Sequence, residues 1–367
     1  MMLTNNVSAV FGLQYGDEGK GKITSAMAAS KRFSLVARYN GGPNAGHTIM
    51  IGDKVCKTRQ VPCGALHKVK SYIGPGTVLD VKKLAVEIKT LNDTLGFDIE
   101  EYLIIDPRVP IIEEKHIQED IEKYSVNGTV STGSGIAPAY KEFYGRTATL
   151  AGDLDLPHEV REVHRTEHLL LEGAQGIWLD PIHGNYPNCT SSHCLPSFAS
   201  ATFGFSPLAF KEIIGVAKVY ETRSGADDYF YWPKSFKGQP YRPDDDQLTK
   251  IKNQLEQLQV LGKEFGVNTG RKRACKPLDV TALCRAIRTS GTTHTVIQKL
   301  DILREADFWF AYLDGELVKL DNEQEFCRIV DMAIKTYTNC KKITWLSSPY
   351  TFYDEGDFVD DFPLHNP

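Results

Sequence analysis

The stretch "FGLQYGDEGKGKITSAMA", Phe11 to Ala28, sets Gly16, Gly19 and Gly21 among four charged residues, Asp17, Glu18, Lys20 and Lys22. Four residues separate Gly16 from the Gly21-Lys22 pair, the spacing of a phosphate-cradling loop, yet Ile23 stands where a magnesium-binding Ser or Thr belongs. Glycines there allow close backbone approach, and a helix N-terminus with two lysines favours a polyphosphate. The carboxylates of Asp17 and Glu18 would repel such a ligand unless a metal or a basic partner intervenes. A plain glycine-rich turn that binds nothing is the competing reading of this loop taken alone.

Other stretches converge on it. "RYNGGPNAGHT", Arg38 to Thr48, is again rich in glycine and ends in Asn44, Gly46, His47 and Thr48. A histidine on such a loop, after a strand, lies where open α/β sheets bind ligands, so Asp17 and His47 make a candidate base and acid pair. "VSTGSGIAPAY", Val130 to Tyr140, offers Ser131, Thr132 and Ser134 as small hydroxyl donors for a monophosphate. "EGAQGIWLDPIHGNYPNCTSSH" adds Gln175 and Thr190, and "FGVNTGRKRACKPLD" adds Arg271, Lys272 and Arg273, whose charges suit carboxylates.

These loops need strands to hold them. "VSAVFGL", "SLVARYN", "YLIID", "HLLLEGAQG", "IIGVAKVY", "HTVIQKLDIL" and "KKITWL" read as strands, several apolar enough to be buried on both faces of a parallel sheet. "KITSAMAAS", "VKKLAVEIKTLNDTLG" and "DDDQLTKIKNQLEQLQVLGKEFG" read as helices, the last two amphipathic with solvated charged faces. The expected fold class is α/β, a single large domain over 1–367 around a mostly parallel central sheet. A chain of 367 residues, 41% hydrophobic, can bury that core.

The net charge of −5 gives no electrostatic reason to bind nucleic acid. No apolar run suits a membrane span, and the N-terminal segment lacks a secretory signature, so a cytoplasmic location is expected. The eight cysteines show no C-x-x-C pair and read as free thiols.

Taken in order, "GLQYGDEGKGK", "NGGPNAGHT", "STGSGIAPAY", "EGAQG", "HGNYPNCTSS", "NTGRKR" and "QKLD" resemble the adenylosuccinate synthetase family, from about Val7 to Pro349. The resemblance implies a phosphate-loop NTPase-like fold and a Mg²⁺-dependent ligase. Such an enzyme uses a nucleoside triphosphate to activate the 6-oxygen of a purine nucleoside monophosphate and replaces it with the amino group of L-aspartate. It implies Asp17 as general base and metal ligand, His47 as general acid, Lys20 and Gln175 as catalytic partners, and Gly46 as a carbonyl ligand to the metal. Gly16, Glu18, Gly19, Lys20, Gly21, Lys22, Gly46, Thr48, Arg273, Lys299, Asp301 and Ser348 would hold the triphosphate donor. Asp17, Ser25, Asn44, Ser131, Thr132, Gln175, Thr190, Ser224 and Arg271 would hold the monophosphate, with Arg146 supplied across a homodimer interface. Val267, Asn268, Thr269, Arg271 and Arg273 would bind L-aspartate.

Several residues depart from the family pattern. The insertion after "GDL" is cut to "DLPHEVREVHRTEH", as in short archaeal and phage members. Ser25 stands where many members carry Asp near the purine 2-position, leaving room for a 2-amino group. "TRSGADDYFYWP", Thr222 to Pro233, and "SSP", Ser347 to Pro349, replace the usual walls of the site. The branch that fits joins aspartate to dGMP, with GTP, ATP or dATP as donor. The alternatives are an ordinary member using IMP and GTP, and a GTPase-like module without ligase activity.

Overall fold

The computed structural model describes residues 1–125, 131–224, 245–265 and 272–347. The chain packs as two compact units, the first built on Met1–Phe11 and Gly19–Ile213, the second on Gly12–Glu18 and Ile214–Tyr350.

The first unit carries β1 (Val7–Gly12), β2 (Leu35–Arg38), β3 (His47–Ile51), β4 (Lys54–Thr58), β5 (Ser71–Ile73), β6 (Leu103–Ile105) and β7 (Leu169–Glu172). Five of these form parallel neighbours in the order β1-β7-β2-β5-β6. Adjacent residues face opposite sides: Tyr72 and Ile104 join a core with Val7, Leu35 and Leu169, while Ile73, Leu103 and Ile105 join another with Leu84 and Ile88. Both faces are therefore covered, which is why these strands are so continuously apolar. β3 and β4 form a separate antiparallel hairpin, so His47 opens a strand rather than sitting on the loop expected for it.

The expected helix "VKKLAVEIKTLNDTLG" spans Val81–Leu95, capped by the Asp80 side chain accepting from the Lys83 N–H and closed by Gly96. Its charged face is not wholly solvated. Glu87 turns back and accepts the backbone N–H groups of Arg59, Gln60 and Val61.

The second unit holds β8 (Phe210–Lys218, through Ile214–Lys218), β9 (Tyr220–Arg223), β10 (Ala274–Asp279), β11 (His294–Gln298), β12 (Phe310–Leu313), β13 (Glu316–Lys319) and β14 (Lys342–Trp345). β8, β11 and β14 are parallel neighbours, and a second, mixed sheet runs β13-β12-β10-β9. "HTVIQKLDIL" is a strand only to Gln298. Lys299 then adopts φ 69°, breaking the strand, and Leu300–Glu305 is helical.

Candidate active site

The glycine-rich loop leaves β1 and carries its own fastening in the second unit. Glu18 is buried, and its Oε1 accepts the N–H groups of Gly16 at 2.8 Å and Gln14 at 3.2 Å. The Gln14 side chain brackets Lys218, accepting its N–H and donating to its carbonyl, while Gln298 donates to the Glu18 carbonyl at 2.7 Å. The Glu18 carboxylate is thus committed to shaping the loop. Asp17 differs. Held at φ 58° with its side chain about a third exposed, it projects outward.

Asp17 meets Arg273, whose Nε lies 2.9 Å from Oδ2, and Arg273 in turn places Nη1 2.9 Å from Glu264. Glu264 is fully buried and also receives Lys218 at 3.2 Å, Lys299 at 2.5 Å and the Tyr220 hydroxyl at 2.8 Å. Burial alone would raise its carboxyl, but three cations hold it well below the usual carboxylate range. The Lys299 ammonium also donates to the Gly262 carbonyl, so it buttresses Glu264. Arg273 is similarly engaged by two carboxylates. The Asp301 Oδ1 is buried without a hydrogen bond among the described residues, an acceptor with no donor of its own there.

In the first unit Gly19 caps the helix Lys20–Ala29 at φ 86°, with no side-chain cap and no acidic residue in the first turn. A helix N-terminus directly after a glycine-rich loop favours an anion, as the spacing of the loop implies. Gly21 serves a different purpose: a Cβ there would lie 2.5 Å from the His47 Cβ, so only glycine lets the two segments touch. His47 is buried and its Nδ1 lies 2.7 Å from Glu172 Oε1. Burial lowers its pKa, against the opposing pull of Glu172.

Glu172, at the end of β7, also contacts Arg38 Nη1 at 3.2 Å, the Cys63 thiol at 3.2 Å and the Cys63 N–H at 2.7 Å. Burial would raise its carboxyl, but the His47 hydrogen bond, the Arg38 charge and the Cys63 N–H bring it down to about 2. His47, Cys63 and Glu172 present ligand atoms within 4.8 Å of one another, a spacing a metal could use. Arg38 on the same carboxylate oxygen opposes a dication there, and the three groups already satisfy one another.

The remaining loops of the first unit are pre-shaped. Asp120 is buried and accepts from Ser131 Oγ at 2.5 Å and the Gly135 N–H at 2.7 Å, leaving Thr132 exposed at the tip. Ser131 is thus a brace for the expected monophosphate loop. Asn40 exchanges two hydrogen bonds with Ala174, and the next residue, Gln175, sits at φ 55°, a strained conformation for a non-glycine residue. Asn44 Oδ1 is buried without a hydrogen bond among the described residues. The Thr190 N–H is tied to the Leu179 carbonyl at 2.7 Å. Ser25 Oγ lies 2.7 Å from His67 Nε2, and burial, reinforced by Lys31, lowers the His67 pKa to about 4. Arg146 ends the helix Ile136–Gly145 at φ 64° and is exposed.

Gly16, Lys20, Lys22, Gly46, Thr48 and Ser224 lie on described segments. Val267, Asn268, Thr269, Arg271 and Ser348 fall outside the described residues. Sequence reasoning missed Glu172, Arg38, Asp120, His67 and Glu264. An acidic residue ending the apolar strand "LLLE" was the one readable signal.

The sequence profile described as adenylosuccinate synthetase matches residues 9–165 and 155–309. The chain belongs to the adenylosuccinate synthetase family. Adenylosuccinate synthetase of Bdellovibrio bacteriovorus is 33% identical over 371 residues, covering 84% of this chain and 81% of that protein. The enzyme of Dechloromonas aromatica is likewise 33% identical, covering 85% and 82%. Membership makes the chain a ligase that forms a C–N bond and a nucleotide-binding enzyme of purine biosynthesis.

Two solved structures share the α/β fold. Fully ligated adenylosuccinate synthetase from Plasmodium falciparum has a TM-score of 0.71 at 22% identity, covering 94% of this chain and 98% of that one. The cyanophage S-2L succinoaminodeoxyadenylate synthetase, solved with dGMP and with dATP as an energy donor, has a TM-score of 0.63 at 21% identity, covering 91% and 100%. Among the described residues no helix is long and apolar enough to cross a membrane.

Proposed function

We propose that this family member condenses L-aspartate with dGMP, forming the 2-amino, 2′-deoxy counterpart of adenylosuccinate. The observation that carries the substrate choice is Ser25. At this position, which the family resemblance places near the purine 2-carbon, the side chain is small and uncharged and its hydroxyl meets a neutral imidazole at 2.7 Å. A hydroxyl there leaves space for an exocyclic amino group and an oxygen lone pair able to accept from it. The dGMP bound in the cyanophage enzyme of the same fold agrees with this reading. The bacterial relatives, named as ordinary adenylosuccinate synthetases, support IMP with GTP as the second reading.

In the proposed reaction Asp17 takes the N1 proton as the 6-oxygen attacks the γ-phosphorus, and the nucleoside diphosphate leaves. The amino group of aspartate then displaces the 6-phosphoryl as inorganic phosphate, with His47 handling the proton at the departing oxygen and Gln175 steadying that end of the purine. Lys20 and the helix N-terminus balance charge on the transferring group. The Asp17 carboxylate and the Gly46 carbonyl are hard oxygen donors suited to Mg²⁺, and the space that a Cβ at Gly46 would occupy is open. When bound, that ion would supply further charge neutralisation. GTP, ATP and dATP are the candidate donors.

The test is aspartate-dependent phosphate release with dGMP and with IMP, each paired with GTP, ATP and dATP. Turnover with dGMP and little with IMP is expected; turnover with IMP alone would sink the dGMP reading. We also propose a homodimer in which the exposed Arg146 serves the neighbouring site. Mixing inactive Arg146→Leu and inactive Asp17→Ala subunits should then restore part of the activity, and no recovery after proven subunit exchange would place Arg146 outside any shared site.

A further inference from the structure

The Glu172 carboxylate is fully buried and surrounded by donors from three other segments. Arg38 Nη1 at 3.2 Å and the Cys63 N–H at 2.7 Å have no acceptor character, so each must donate to it. The Cys63 thiol adds a third donor at 3.2 Å, on the same oxygen that faces His47. A carboxylate with these neighbours is an acceptor toward the imidazole as well, and the 2.7 Å contact therefore assigns the hydrogen to His47 Nδ1. The bare Gly21 backbone packs against the His47 Cβ and Cγ, where a methyl group would stand at 2.5 and 2.7 Å.

We propose that Glu172, ion-paired with Arg38, is the positioning residue of this enzyme: it locks His47 as the Nδ1–H tautomer and leaves Nε2 as the single ring nitrogen that can exchange a proton with the substrate 6-oxygen. The proposal rests on the role given to His47 above, but the tautomer does not. Glu172 never touches substrate in this scheme. It acts by orienting the imidazole, as the carboxylate of a hydrolase triad does. Arg38 and the Cys63 amide act one step further back, by keeping the carboxylate an acceptor.

The deciding measurement is the ¹⁵N spectrum of histidine-labelled, substrate-free enzyme, with the His47 resonances assigned through His47→Gln. A protonated Nδ1 and an unprotonated Nε2 are expected, and an Nε2–H tautomer would overturn the proposal whatever the activity. Glu172→Gln keeps the shape but turns an amide N–H₂ toward a pocket of donors. We expect the Nδ1–H signature to be lost or mixed and kcat to fall about 10²-fold, with KM for the nucleotides and aspartate changed less than threefold. A brace with no orienting role would leave the tautomer intact and change kcat less than threefold, which also overturns the proposal. If Glu172→Gln does not fold, the spectrum of the parent enzyme still decides. Near-normal turnover in His47→Ala, alongside the expected tautomer in the parent, would sink the catalytic reading of His47 and not the hydrogen-bond assignment.

Discussion

Each unit of the enzyme buries one carboxylate among cations, and the two clusters are balanced differently. Glu172 in the first unit faces one guanidinium, Arg38, so its formal charges sum to zero and the adjoining His47 is kept from ionising by burial. Glu264 in the second unit faces Lys218, Lys299 and Arg273, a formal sum of +2. Asp17, 2.9 Å from Arg273, brings that sum to +1. The first cluster is built to hold an imidazole in one orientation. The second holds surplus positive charge behind an exposed carboxylate, an arrangement that draws anions and tolerates Asp17 inside a phosphate loop. That is the answer the structure offers to the acidic loop: Glu18 shapes it, and Asp17 is offset from behind.

The largest effect should come from removing the groups the clusters present. Asp17→Ala and His47→Ala are each expected to lower kcat by about 10²- to 10⁴-fold with the circular dichroism spectrum unchanged. Rates within tenfold of the parent would mean that the clusters are structural and the comparison says nothing about chemistry.

Stability separates the clusters next. Glu264→Gln leaves Lys218 and Lys299 without their carboxylate and Arg273 with Asp17 alone, whereas Glu172→Gln strands one cation, so the first should destabilise by about 3–5 kcal/mol and the second by clearly less. Urea midpoints of the two variants measure this. Equal losses would show that the local charge sum does not govern these sites.

How much of this could be read beforehand follows from the same physics. Most parallel strands were legible because both faces are buried and their residues are uniformly apolar, as in "LLLE" and "SLVARYN", whereas the three-residue β5, "SYI", was too short to register. The strands of the mixed sheet, β9, β10, β12 and β13, were not legible, since "YETR" and "ELVK" carry no alternation that separates them from loops. The glycine-rich loops announced a nucleotide site through residue types alone. The division of labour within them was invisible, because Asp17 and Glu18 are chemically alike and only φ and burial tell the exposed carboxylate from the buried staple. Glu264 lies outside every motif. Its importance arises from Lys218, Arg273 and Lys299, which are distant in sequence and meet only in the fold.

Ser25→Asp sharpens the comparison by placing a carboxylate against His67, which unlike His47 has none beside it. Crowding of the purine 2-amino group should cost roughly 1–3 kcal/mol, one to two decades in the ratio of kcat/KM for dGMP over IMP. An unchanged or increased ratio would locate 2-amino recognition elsewhere, with Ser224 the next residue to examine.

The smallest effect concerns His67 itself. Its pKa falls from 6.5 to about 4, chiefly by burial and then by Lys31, with no carboxylate to oppose either. Between those values the unfolded chain binds a proton that the folded chain does not, so this contribution to stability is complete above pH 6.5 and is lost as pH falls toward 4. At about 1.4 kcal/mol per unit, and allowing for partial exposure, roughly 1–3 kcal/mol rides on this group. His67→Gln should therefore lose less stability than the parent between pH 7 and pH 4, read as the difference between two sets of urea midpoints. His47 titrates in both proteins and cancels from that difference. Parallel curves would mean that His67 accepts its proton freely in the fold, and that the contrast between an imidazole with a carboxylate partner and one without has no energetic consequence here.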